Sequence, residues 1–394
     1  DIVAGAIAFS AGTGIGASGK AIETQTGKLE AETNTGGIAL ANIGTVQIGG
    51  VSGNVDGLDV ATSGDITFTT IGSIFLTEAN SVTAGEVVHG GNTSGNVTLI
   101  ATGGNADIIG NVDNAAVTAA GGNVVLQAGR DIQLGTIGTD FNNDILASGR
   151  ISLTAGRDVL IDGFADVLSD GFGKDTGGNL TVTAGRNIGV LKFAGTSASL
   201  VAGGNAGADV ILTTGQGDTL TIDSPGTFAV GSTSGDVILV ADRVIIDVAS
   251  GITADKNNVS LRPASDGREI ILGSVTNGLT AIELSNQELG RIFAQSLTLG
   301  ADSAGSISVV GAIAPAAANV TLRTGESIAI GAGITTKTAL TLRAGDNIHH
   351  TSGAIATGKL AAIVDALGGG AATGGFASFN TVNAPTITVD GGGQ

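Results

Sequence analysis

Val124-Val125-Leu126-Gln127-Ala128-Gly129-Arg130-Asp131-Ile132-Gln133-Leu134 decides the fold. Apolar residues alternate on either side of a glycine, as apolar-any-apolar, two residues, Gly, two residues, apolar-any-apolar. Ile151-Leu153-Gly156-Val159-Ile161, Leu180-Val182-Gly185-Ile188-Val190 and Val320-Leu322-Gly325-Ile328-Ile330 repeat the template. Leu340-Leu342-Gly345-Ile348-His350 repeats it with His in the last apolar slot. Looser relatives begin at Gly64-Asp65-Ile66, Gly95-Asn96-Val97 and Gly235-Asp236-Val237. Spacing inside each copy is constant, but Gly156 to Gly185 is 29 residues and Gly325 to Gly345 is 20.

Each half-template is a short strand with two side chains on one face. The glycine reads as a corner residue that takes φ > 0 at no steric cost. The flanking Asn123, Asn179, Asn319, Asp131 and Asp158 read as residues that tolerate the left-handed region. Strands this short bury nothing alone, but they can stack on the equivalent strands of the next coil. The expected fold is therefore all-β: one elongated parallel β-helix solenoid over residues 1–394, with Val, Ile and Leu inward and Thr, Ser, Asn and Gln outward. At ~4.8 Å per stacked strand, ~20 coils would make a rod ~80–100 Å long. Ser285–Ile292 suggests one or two helical turns, from a polar N-cap, an acidic residue and Leu289/Ile292. Ala362–Gly375 reads as a loop leaving the rod. Neither end carries a polar cap: Asp1-Ile2-Val3 starts in mid-pattern and Thr386–Val389 is a good strand. More coils outside the chain, or copies stacked end to end, are the expectation.

Composition narrows the function classes. Of 394 residues 67 are Gly, with 4 Pro, 11 Phe and no Cys, Met, Trp or Tyr. Hydrophobic residues make up 42% and mean hydropathy is +0.37. This is too apolar for disorder, and Gly without a three-residue period excludes collagen. No apolar run is long enough for a membrane helix. A formal net charge of −18 repels phosphate backbones and anionic lipid, so neither nucleic acid nor membrane insertion is expected. Without Cys there are no disulfides, Fe–S clusters or thiol catalysis.

Gly12–Leu40 (GTGIGASGKAIETQTGKLEAETNTGGIAL) and Gly278–Ile313 (GLTAIELSNQELGRIFAQSLTLGADSAGSISVVGAI) resemble recurring blocks of large filamentous-haemagglutinin-like bacterial surface proteins. The second holds a Glu288-Leu289-Gly290-Arg291-Ile292 core. The Gly-Asn-(Leu/Val)-Thr-Val-x-Ala-Gly-Arg runs are similar to that family's rod repeats. The resemblance implies a right-handed β-helix in an exported adhesin or cell-surface fibre. The Asn-Pro-Asn motifs of the family's secretion module do not occur here, so the likeness is to a rod segment.

Candidate chemistry is sparse. Asp140/Asp144 and Asp166/Asp170/Asp175 are among the denser acidic groups, and Asp209 stands alone. The Asp166–Asp175 loop reads as a solvated corner, with a calcium site as the alternative. Gly171-Phe172-Gly173-Lys174-Asp175 is a lone partial echo of a calcium repeat. His349 and His350 are adjacent on a strand and face opposite ways, so they cannot chelate one metal; His350 is expected inward and hydrogen-bonded. His89 beside Gly90-Gly91 reads as loop. Arg130, Arg157 and Arg186 follow the corner glycines and would align in a surface ladder beside Asp131 and Asp158. It reads as a solvated stripe, or else as a binding stripe for anionic glycan. The sequons at Asn92, Asn96, Asn179, Asn258 and Asn319 arise from the repeat itself. No catalytic residue, cofactor or metal ligand is assigned.

The expected function is structural and non-enzymatic: a stalk or fibre segment of a secreted surface protein, serving adhesion or cell–cell contact. Expected partners are a host or neighbouring cell surface, matrix glycans, and copies of itself end to end. A head-to-tail homopolymeric filament or sheath is the alternative. A polysaccharide-binding or polysaccharide-degrading β-helix is the alternative of another class.

Overall fold

The computed structural model describes the chain except residues 54, 56, 78–86, 112–115, 136–144, 164, 171, 174–176, 193–195, 205–206, 365–374 and 392–394. The chain is a parallel β-helix solenoid and divides into two compact units. The first is Asp1–Ile211 with Ser224–Ala229, the second Leu212–Asp223 with Val230–Gln394.

In the first unit a coil has three strands, such as Val124–Ala128, Ile132–Leu134 and Ile145–Ala147. The next coil repeats them as Ile151–Ala155, Val159–Asp162 and Asp166–Ser169. Pairing is parallel and in register, Val124 on Ile151, Ile132 on Val159 and Ile145 on Val167. One face stacks Ile38–Asn42, Ile66–Thr70, Val97–Ala101, Val124–Ala128, Ile151–Ala155 and Leu180–Ala184 in order. Alternation points Phe68, Leu99, Leu126, Leu153 and Val182 inward as one fully buried column. Ala101, Ala128, Ala155 and Ala184 form the neighbouring buried column, where the coil narrows toward its corner.

The corner glycines have a different cause from the one the sequence suggests. Gly129, Gly156 and Gly185 are not among the positive-φ residues. A Cβ on Gly156 would run into the carbonyl oxygen of Gly129, one on Gly185 into that of Gly156, and one on Gly345 into that of Gly325. The backbone of each corner hydrogen-bonds straight to the coil before it, Gly156 N to Ala128 O at 3.0 Å and Arg157 N to Arg130 O at 2.7 Å. Close approach excludes a side chain here. The flanking Asn and Asp are likewise not left-handed; Asp170 and Asp255 are the positive-φ non-glycines among the described residues. Their side chains tie coils together instead. Asn96 Nδ2 donates to Asp65 Oδ1 at 3.0 Å, Asn123 Nδ2 to Asn96 Oδ1 at 2.8 Å, and Arg150 N to Asn123 Oδ1 at 2.8 Å.

The second unit continues the same chemistry through Val237–Val240, Asn258–Arg262, Ser296–Ala301, Asn319–Thr324, Ala339–Ala344, Lys359–Val364 and Thr386–Gly391. It contains one irregularity. Glu269–Leu272 pairs in parallel with the next strand of the chain, Ala281–Leu284, so an extra strand enters that face. The helix Asn286–Leu289 follows, inside the Ser285–Ile292 stretch. Ser285 caps it, and Glu288 closes the capping box while its Oε1 accepts Ile246 N at 3.2 Å. Lys359–Val364 overlaps the expected 362–375 loop: Leu360, Ala362 and Val364 alternate inward and are buried, so Ala362–Val364 belong to the sheet. Residues 365–374 of that stretch lie outside the described residues. No helix is long and apolar enough to cross a membrane.

Candidate functional site

Parallel register makes lines of outward side chains, and one line in the first unit carries chemistry. The strands Ala6–Ala11, Lys28–Thr35, Leu58–Ser63 and Val88–Gly90 align Ser10, Glu32, Asp59 and His89, and the next residue in register, Thr118 of Val117–Ala119, is fully buried. The alternating inward residues Leu58, Val60, Val88 and Val117 are fully buried and fix which way the line faces. Ser10 Oγ donates to Glu32 Oε1 at 2.6 Å, and His89 Nδ1 meets Asp59 Oδ1 at 2.7 Å. His89 Nε2 meets Asn92 Oδ1 at 3.2 Å, while Asn92 Nδ2 donates to Ala61 O at 3.1 Å. A groove of about 240 Å³ runs beside Glu32 and Asp59, lined also by Ala11, Thr33, Asn34 and Ala61. Glu32 and Asp59 were not singled out from the sequence, and His89 lies in a strand instead of a loop. The steps from Ser10 to Glu32 and from Asp59 to His89 are 22 and 30 residues. No fixed-spacing motif links them. Laying the coils over one another by their buried positions would have.

The arginine ladder forms. Arg130, Arg157 and Arg186 each fork onto the aspartate of the preceding coil: Asp107, Asp131 and Asp158. The Nε bonds are 2.7, 2.8 and 3.2 Å. These three carboxylates match the three cations, which argues against a stripe for anionic glycan. Hydrogen bonding to Asp107 and to Asp131 raises the guanidinium pKa values of Arg130 and Arg157 further. Burial pushes Asp158 up, but hydrogen bonds from Arg186 and Asn187 outweigh it and hold the carboxyl below its ordinary value. In the second unit Arg323 forks onto Asp302, and that hydrogen bond depresses Asp302. Asp242 is fully buried. Its burial is overcome by Ser265 Oγ and the amides of Gly217 and Ser265, so it too is depressed.

Depressed carboxylates stabilise the folded chain above their unfolded pKa of about 3.9, and that contribution is lost as pH falls through the folded values. Asp166 has the opposite sign, being raised mainly by burial, and partly offsets the loss on acidification. The thermal midpoint is therefore expected to stay level from neutral pH to about 5 and fall below about 4. In Asp158→Asn the acid-dependent part of the fall should be smaller, as read from circular-dichroism melts across that range.

The remaining expected residues separate. His350 is 3% exposed, its Nε2 donating to Ser352 O and Gly353 O at 3.1 Å and its Nδ1 accepting from Asn380 N at 3.3 Å. It is thus a neutral tautomer fixed by its surroundings. His349 faces outward to Ser378 Oγ at 2.7 Å. Asp166 accepts from Ser199 Oγ at 2.5 Å and Asp170 takes φ 64. Asp209 N donates to Asn179 Oδ1 at 3.1 Å. Asp140, Asp144, Gly171, Lys174 and Asp175 lie outside the described residues. Among the described residues no group of three or more His, Asp or Glu could hold a metal ion. The Nδ2 atoms of Asn92, Asn96, Asn258 and Asn319 all bond to a neighbouring coil, so a sugar attached there would disturb the stack. A larger groove, about 450 Å³, has Gly36, Gly37, Gly64, Asp65, Thr67 and Ser94 among its lining residues.

Comparison with protein-family models, with curated proteins and with solved structures finds no match for this chain.

Proposed function

We propose that the chain is a rod segment of a secreted bacterial surface adhesin or extracellular filament, holding cells apart at a set spacing or joining them to a surface. The observation that carries this reading is the register itself. In each unit, strand after strand pairs in parallel over unbroken aliphatic columns, as from Val97 through Val124 and Ile151 to Leu180. Nearest-neighbour stacking of this kind resists bending and local opening, which suits a mechanical spacer. The Arg–Asp and Asn ladders add cross-coil ties and leave the corners to carry recognition. Partners in this reading are a host or neighbouring cell surface or matrix glycans, with further copies of the chain in the filament variant.

Antibody raised to the purified chain should label intact source cells without permeabilisation, and removal of the chain should reduce cell–cell or cell–surface attachment. Label seen only after permeabilisation, with attachment unchanged, would refute the reading.

A further inference from the structure

We propose that the groove beside Glu32 and Asp59 binds a glycan unit carrying a basic amine, an amino sugar. The inference does not depend on the rod reading. Both ring nitrogens of His89 face acceptors, Asp59 Oδ1 at 2.7 Å and Asn92 Oδ1 at 3.2 Å. The Asn92 amide is oriented by its Nδ2 bond to Ala61 O. His89 is thus the partner that Asp59 already has on this line. Glu32 has the uncharged Ser10 hydroxyl as its hydrogen-bond partner, and no cation pairs with it among the described residues. Lys28, on the same strand, is about 13 Å along the backbone and reaches toward Gly50 O.

The groove thus presents one carboxylate without a basic partner among the described residues, which selects one ammonium through a charge-assisted hydrogen bond. Asp59 offers further acceptor sites for hydroxyls, and Asn34, whose Oδ1 takes Thr62 Oγ1 at 2.8 Å, retains its amide donors. Ala11 and Ala61 give a small apolar floor for the C–H face of a sugar ring. Anionic sugars would be repelled. Calcium takes six to eight oxygens, and two carboxylates, one committed to His89, fall short of that. A peptide is disfavoured because Lys28–Thr35 is paired along both edges and offers no free backbone.

Calorimetric titration of the full chain at low salt, with a glucosamine trimer, its N-acetylated form, a β-linked glucose trimer and trilysine, tests this. The glucosamine trimer should bind, and N-acetylation should weaken it about tenfold or more. Glu32→Gln should weaken it by a similar factor, while Asp390→Asn, which removes an exposed carboxylate elsewhere, should bind as the parent does. Unchanged circular dichroism establishes that Glu32→Gln folds. The proposal is overturned by no binding of the glucosamine trimer, or by equal losses in Glu32→Gln and Asp390→Asn. Tighter Glu32-dependent binding of trilysine would overturn it in favour of a peptide.

Discussion

Gly156→Ala is expected to destabilise the first unit by about 2–3 kcal/mol, although it adds a single methyl group to a corner with an ordinary φ. The new Cβ meets the carbonyl oxygen of Gly129, a backbone atom with no rotamer to escape into. The coil cannot lift away cheaply, because Gly156 N bonds Ala128 O at 3.0 Å and the next amide, of Arg157, bonds Arg130 O at 2.7 Å. Gly185 sits on Gly156 in the same way, so the displacement is passed to the following coil. Gly53→Ala is the matched control. Nothing lies within 4 Å of its Cβ and its φ is not in the left-handed region, so stability should hold or rise slightly. Urea unfolding of the two variants against the parent chain measures the contrast. Equal, small effects would mean that the corners are not in contact.

Leu153→Ala should cost about 3–4 kcal/mol. Leu153 is fully buried and lies between Leu126 and Val182 in its column. The β-ladder holds the coils on either side at fixed separation, so the site collapses poorly and most of the cavity remains. Because stability in a solenoid is a sum of repeat and nearest-neighbour terms, the loss should be local. Amide exchange should quicken most in Val124–Ala128, Ile151–Ala155 and Leu180–Ala184, and little in Ile38–Asn42. A uniform loss of protection over the whole unit would point to a single cooperative core instead.

The difference between what was legible and what was not follows from range. The coil template is local, so the strands at Val124–Ala128, Ile132–Leu134 and their equivalents can be read from alternation around the glycine. The inward place of His350 follows from the same register. The reason for the glycine cannot be read locally, because the colliding carbonyl belongs to the previous coil. The same holds for Asn96 and Asn123, which look like turn residues and act as cross-coil ties. Glu32, Asp59 and His89 are harder still, since coils of unequal length hide which residues share a line. The Arg ladder could be read because its members keep a fixed offset from the corner glycine. The partners that neutralise it begin with Asp107, outside the template copies.

Cysteine pairs test the central claim, the in-register parallel stack, most directly, because the native chain contains no Cys. Gln127 and Thr154 face outward on adjacent coils in direct register. Adjacent strands lie about 4.8 Å apart, within the Cα separation that a disulfide spans. The double variant Gln127→Cys/Thr154→Cys should oxidise readily within one chain. Gln127→Cys/Thr183→Cys, two coils apart on the same line, should remain as free thiols under the same conditions. Cross-linking of the second pair with failure of the first would contradict the stack.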